Sequence, residues 1–175
     1  ITPLGELNIN SIRERKSQWG IALKHYSING KLKLENDQTV DPGFFETSGN
    51  IYGKRIFNKS YLSASVGAAY DGADFYGYHP SIDTVLQKDD IRQTYLKLDG
   101  RLKMGSSHKD SLHINWEGTL DYFYTLDYYK NSEHAGIFNA EGSDRLRSGH
   151  TVGLGIGGAY YYTSESIDSG NNIII

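Results

Sequence analysis

The chain has 175 residues, a length that suits one domain or part of a larger one. Its formal net charge of −3 leaves no basic footprint for nucleic acid, and the lack of cysteine excludes a disulfide framework and a thiolate metal site. No stretch approaches the roughly 20 apolar residues of a transmembrane helix. Fourteen tyrosines and twenty glycines, without apolar residues gathered at helical spacing, indicate β structure.

Eight segments in which apolar and polar residues alternate follow one another along the chain. They span residues 5–14, 18–27, 46–57, 60–76, 91–105, 111–128, 134–142 and 149–163. Several are about ten residues or longer, which is long for strands of soluble proteins and usual for tilted membrane strands. We therefore predict an all-β fold, an antiparallel transmembrane β-barrel, as a single unit over residues 1–175.

Each of these strands is expected to have one apolar and one polar side, because successive side chains point to opposite faces of a sheet. The apolar side is predicted to face lipid through Leu62, Val66, Leu96, Leu98, Leu102, Ile114, Trp116, Leu120, Val152, Leu154 and Ile156. The polar side is predicted to face the lumen through Lys24, Lys54, Lys97, Asp99, Arg101, Lys103, Glu117 and Asp121. Mixed charges there suit a water-filled pore or packing against a plug, and they would set selectivity, not catalysis.

The connections between the segments alternate in length. Short ones are predicted near residues 16–17, 58–59, 108–110 and 144–148, and long ones at 28–45, 79–90 and 129–134. Outer-membrane barrels have short periplasmic turns and long extracellular loops. On that basis the first strand runs inward and the last runs outward, so we expect an internal segment of a larger barrel. A closed eight-stranded barrel is the alternative.

Two of the short turns predict a strand register. A two-residue loop at 58–59 places Ile51 opposite Val66, so that apolar faces of neighbouring strands meet. A three-residue loop at 108–110 places Arg101 opposite Glu117, so that opposite charges meet on the polar face.

Aromatic residues gather toward the ends of the strands that lead into the long loops. An interfacial girdle explains this clustering, and the ordinary preference of tyrosine for strands is the other interpretation. The residues are Tyr70, Phe75, Tyr76, Tyr78, Tyr122, Phe123, Tyr124, Tyr128, Tyr129, Tyr160, Tyr161 and Tyr162.

Several segments resemble strands of large outer-membrane barrels of Bacteroides-type bacteria, the TonB-dependent-receptor-like barrels. They are WGIALKHYS at 19–27 with the following GK at 30–31, NIYGK at 50–54, FYGY at 75–78 and DDIRQ at 89–93. The resemblance covers roughly residues 7–140 and implies a barrel much larger than eight strands. Its motifs are degenerate strand patterns, so it identifies a barrel family better than a function. No plug domain or TonB box is visible in this sequence.

No residue pattern points to catalysis, and no cofactor or metal is predicted. His113 and Glu117 would lie about 13 Å apart on one strand, too far for a shared metal ion, and a solvated lumen ladder explains them better. His25 and His134 lack a partner at ligand spacing. GLGIGG at 153–158 resembles a dinucleotide fingerprint but opens no helix. A loop-associated cluster could hold a divalent cation or be simply solvated: Asp71, Asp74, Asp83, Asp89 and Asp90.

Three functional hypotheses follow. The first is a non-enzymatic barrel in the outer membrane of a Gram-negative bacterium that passes or takes up a solute. Its expected partners are membrane lipid, the remainder of the barrel and a periplasmic or surface lipoprotein. The second is a soluble β-sandwich or small barrel that binds a ligand such as a carbohydrate. The third is an outer-membrane enzyme with His25, Asp71 and Asp121 at its rim, although no spacing supports that site.

Overall fold

The computed structural model describes residues 2–11, 14–33, 39–40, 43–74, 92–107, 114–146 and 148–165. Ten strands lie in these ranges: β1 (Leu4–Asn10), β2 (Ser17–Asn29), β3 (Leu32–Lys33), β4 (Thr39–Val40), β5 (Gly43–Ile56), β6 (Ser60–Asp74), β7 (Arg92–Ser106), β8 (Asn115–Asp127), β9 (Ser132–Arg145) and β10 (Thr151–Ser164). Eight of them form one antiparallel sheet in the order β1-β2-β5-β6-β7-β8-β9-β10. The predicted all-β, antiparallel, eight-stranded fold class is therefore confirmed.

The strands of this sheet are long, since every strand from β5 to β10 has 13 to 15 residues. Typical strands of globular proteins have about five or six residues. The short pair β3 and β4, which was not predicted, lies within the connection between β2 and β5. A helix with the length and hydropathy needed to span a bilayer is absent from the part of the chain that the structure describes.

The connections lie at two ends of the sheet. The connections after β1, β5, β7 and β9 lie at one end, called the short-turn end, and those after β2, β6 and β8 lie at the other, called the long-loop end. The connection after β7, residues 107–114, is longer than the predicted three-residue loop at 108–110. The connection after β8 is short, contrary to the prediction of a long loop at 129–134. The Asp127 carboxylate accepts two hydrogen bonds of 2.8 Å from Asn131, and Lys130 adopts a left-handed φ of 66°, which together close a tight turn.

The register assigns every strand residue to one of two faces, because residues directly opposite each other point to the same side of the sheet. On the apolar face lie the odd-numbered residues of β1, β2 and β5 and the even-numbered residues of β6 to β10. On the polar face lie the alternate residues. A single face therefore runs without interruption across all eight strands.

One predicted register is confirmed and the other is wrong. Ile51 lies opposite Val66, as the two-residue loop at 58–59 predicts. Arg101 lies opposite Asp121, not Glu117, so the register of β7 and β8 is offset by four residues. An even offset leaves every side chain on its predicted face, because faces alternate with a period of two.

No hydrophobic side chain in the described residues is buried. The apolar face is open along its whole width, as shown by Ile51 at 60%, Val66 at 66% and Leu154 at 82% exposure. In a sheet of a soluble protein this face would normally be covered by a second layer of secondary structure. The sheet therefore has an apolar face but no protein layer covering it in the described ranges.

Candidate functional site

The polar face contains all eight residues that the sequence analysis assigned to a lumen. They lie on β2, β5, β7 and β8 as Lys24, Lys54, Lys97, Asp99, Arg101, Lys103, Glu117 and Asp121. Four ion pairs cross between neighbouring strands of this face. They are Lys24–Glu46 at 3.0 Å, Lys97–Asp71 at 2.6 Å, Arg101–Asp121 at 2.5 Å and Lys103–Glu117 at 2.6 Å.

Asp121 is the least exposed carboxylate of these four pairs, although its partner Arg101 is largely exposed. Asp121 is only 8% exposed and lies directly opposite Arg101, whose guanidinium Nε donates to its Oδ1. In the other three pairs the partners are diagonal neighbours, two residues from the directly opposite position. Exposed pairs of this kind contribute little stability each, so their main consequence here is to neutralise charge on the face.

Two tyrosines of the polar face reach across a glycine to a polar residue two strands away. Tyr61 lies opposite Gly105, and its hydroxyl donates a hydrogen bond of 2.7 Å to Glu117. Tyr52 crosses Gly20 in the same way and donates a bond of 2.6 Å to Asn10. A side chain at either glycine would occupy the space of the tyrosine ring. These bridges tie three strands together, and the sequence analysis did not predict them.

Asp99 and Lys54 have no ion pair with a described residue. The Asp99 carboxylate lies against Gly67, where an added Cβ would collide with it. The Lys54 ammonium lies 4.7 Å from the centre of the Tyr61 ring, a cation–π contact. Both residues are exposed on the polar face.

The apolar face contains ten of the eleven residues that were assigned to lipid. They are Leu62, Val66, Leu96, Leu98, Leu102, Trp116, Leu120, Val152, Leu154 and Ile156. The remaining residue, Ile114, immediately precedes β8 and is 66% exposed. Charged residues occur on this face of the described strands only near strand ends, as Arg55, Asp74, Arg92 and Asp144. The middle of the face is therefore an uncharged band.

Aromatic and histidine side chains border this band on both sides. Toward the long-loop end lie His25, Phe45, Tyr70, Tyr122, Tyr124, His134, Tyr160 and Tyr162. Toward the short-turn end lie Trp19 and Trp116, which are 50% and 41% exposed. The band between the two rows consists mainly of leucine, isoleucine, valine, alanine and glycine.

His134 is the centre of an aromatic cluster at the long-loop end of this face. Its Nδ1 lies 2.7 Å from the Tyr122 hydroxyl, and its ring centre lies 4.8 Å from Tyr124 and 5.9 Å from Tyr162. His25 is bonded to the Thr47 hydroxyl at 2.8 Å. Both histidines are therefore engaged by neutral neighbours and not by carboxylates.

The structure does not bring the three residues of the enzyme hypothesis together. His25 lies on the apolar face of β2, whereas Asp71 and Asp121 lie on the polar face of β6 and β8. Asp71 and Asp74 are held in ion pairs with Lys97 and Arg92. In the described ranges no group of three His, Asp or Glu residues is arranged to hold a metal ion.

Other predicted candidates are placed as follows. Residues 153–158 lie within β10 and precede no helix, so the glycine-rich stretch does not form a dinucleotide-binding turn. His113, Asp83, Asp89 and Asp90 lie outside the described residues, as do the aromatic residues Phe75, Tyr76 and Tyr78.

Comparison with known proteins gives a distant structural likeness. No protein-family model matches the chain, and no curated protein matches it. A solved structure similar to it is OmpT, an outer membrane protein of Vibrio cholerae, in-vitro folded and in its trimer form, with a TM-score of 0.46 and 9% identity. The likeness covers 92% of this chain and 56% of that chain, so this chain spans about half the length of that protein.

Proposed function

We propose that this chain forms part of the wall of a β-barrel in a Gram-negative outer membrane, and that a solute passes along its polar face. One observation carries the proposal: no hydrophobic side chain in the described residues is buried, yet the apolar side chains of the strands are concentrated on one face. Lipid is the environment in which such a face is stable, because it removes the apolar surface from water.

The dimensions of the uncharged band support a membrane environment. Eight residue steps separate Leu62 from Tyr70 on β6, and eight separate Trp116 from Tyr124 on β8. At about 3.3 Å per residue this is about 26 Å along the strand, and about 20 Å along the membrane normal for a tilt of about 40°. The apolar band of outer-membrane barrels is about 25 Å tall and is flanked by aromatic girdles.

The polar face has the composition of an aqueous lining. It combines ion pairs that cross between strands with exposed charges such as Asp99, and such residues would be costly in contact with lipid. Strands β1 and β10 each pair on one side only within the described ranges, so we infer that further strands of the same barrel lie beside them. Membrane lipid and those strands are the partners of this segment.

A finer assignment rests on the sequence pattern alone. We propose that the barrel belongs to the porin-like or TonB-dependent-receptor-like type, is not an enzyme, and works with a periplasmic or surface lipoprotein. The TonB-dependent type follows from the resemblance of the segments at 19–27 and 50–54. The long connections at 30–42 and 75–91 would then lie on the extracellular side, where such barrels have their larger loops.

Swelling of proteoliposomes tests the passage of solute. Vesicles that contain the folded full-length protein should swell in iso-osmotic arabinose, and the rate should fall as the sugar becomes larger. Vesicles made with the same amount of heat-unfolded protein are the control. Insertion without swelling in any sugar would contradict solute passage, while leaving the barrel itself in place.

A further inference from the structure

The polar face carries more carboxylates than cations. In the described strands its cations are Lys24, Lys54, Lys97, Arg101, Lys103 and Arg145, and its carboxylates are Glu6, Glu46, Asp71, Asp99, Glu117, Asp121, Asp127, Glu133 and Glu141. The apolar face, in contrast, carries two cations and two carboxylates near strand ends. The excess of negative charge is therefore a property of the polar face.

Ion pairing leaves the excess of three carboxylates unchanged but raises their proportion among the charges that have no ion partner. The four pairs across the polar face neutralise four cations and four carboxylates. The cations left without an ion partner in the described residues are Lys54 and Arg145, of which Arg145 is the last residue of β9. The carboxylates left over are Glu6, Asp99, Asp127, Glu133 and Glu141. Asp127 is engaged by the turn after β8, whereas the other four are exposed.

Asp99 is an unpaired carboxylate near the middle of the polar face. It is at the midpoint of β7, and its carboxylate leans over Gly67 toward β5. A groove of about 310 Å³ runs from Asp99 across small side chains to Glu6 on β1. Lys24 also lines this groove, but its ammonium is paired with Glu46. The groove therefore has an unpaired carboxylate at each end.

We propose that the aqueous path along the polar face favours cations over anions, and that the unpaired carboxylates, Asp99 foremost, set this preference. The inference rests on the proposed function, because it concerns the class of solute that the path takes. A single charge about 8 Å from an ion in water changes the local concentration of that ion about twofold, in opposite directions for the two signs. Rings of acidic side chains select for cations in channels by the same physics.

Charged thiol reagents test the inference without requiring passage through the barrel. The printed sequence has no cysteine, so Asn50→Cys introduces a thiol on the polar face, opposite Gly67 and beside the groove. We expect the folded full-length protein to react faster with a cationic than with an anionic methanethiosulfonate. Each rate is first divided by the rate of the same reagent with a free thiol in solution. Adding Asp99→Asn should lower the ratio of the two rates about fourfold at low salt and less at high salt.

Asp144→Asn is the matched control, because it also removes one carboxylate but lies on the apolar face. It should leave the ratio unchanged. A normalised ratio of one or below, or an equal effect of the two carboxylate substitutions, would overturn the inference. The proposed function is tested separately by swelling: vesicles that fail to swell while the rate ratio stays high would contradict solute passage and not the charge preference.

Discussion

A lysine placed on the apolar face should destabilise the protein far more than a lysine placed on the polar face at the same depth. Ile51 and Asn50 are consecutive residues of β5 that point to opposite faces, and Ile51 is 60% exposed in the described sheet. A lysine near the middle of a lipid-facing strand costs about 2–4 kcal/mol. Ile51→Lys should therefore lower the folding equilibrium constant roughly 30- to 700-fold. Asn50→Lys lies near the unpaired Asp99 and should change stability by less than about 0.5 kcal/mol.

The assay is a guanidinium titration of the full-length protein in lipid vesicles. Tryptophan fluorescence is a suitable signal, because Trp19 and Trp116 lie on the apolar face near its short-turn border. Equally small effects of the two lysines would refute the reasoning, since they would place the apolar face in water. A large effect of Ile51→Lys in a soluble, lipid-free monomer would also refute it, because a second protein layer would then cover this face.

Two further substitutions test the packing and the register of the sheet. Gly105→Ala should cost about 1–3 kcal/mol, because an added Cβ would lie 2.8 Å from a backbone oxygen of β8. Gly100→Ala on the same strand should be neutral or slightly stabilising in the same denaturant titration, since no atom lies within 4 Å of its added Cβ. Cysteines at Leu98 and Tyr124, which are directly opposite, should form a disulfide on oxidation, as seen by mass spectrometry. Cysteines at Leu98 and Leu120 should not form a disulfide. A disulfide between positions 98 and 120, and none between 98 and 124, would support the register expected from a three-residue loop at 108–110.

The strands and their faces could be predicted from the sequence because period-two alternation is a local signal. The register at Ile51 and Val66 could also be predicted, since a two-residue turn leaves little freedom in the pairing of the strands it joins. The register of β7 and β8 could not. Glu117 and Asp121 lie on the same face four residues apart, so charge pairing with Arg101 is satisfied by either one.

Other features depend on contacts that the sequence does not display. The turn after β8 was predicted to be longer because its residues are polar, whereas Asp127 folds it back tightly through two hydrogen bonds. The bond from Tyr61 to Glu117 spans three strands and depends on the absence of a side chain at Gly105. Such an interaction can be predicted only when the register of β6 with β7 and the register of β7 with β8 are both known. The long connection between β6 and β7 does not fix the first of these registers.

The most direct test of a membrane β-barrel is the partitioning of the full-length protein between the aqueous fraction and the detergent-extracted outer membrane. Electrophoretic mobility before and after heating is the readout. A barrel with this apolar face should require detergent for extraction and should change mobility on heating, because folded barrels resist the detergent of the gel until they are boiled. A protein that is freely soluble, monomeric and unchanged in mobility by heating would contradict the account.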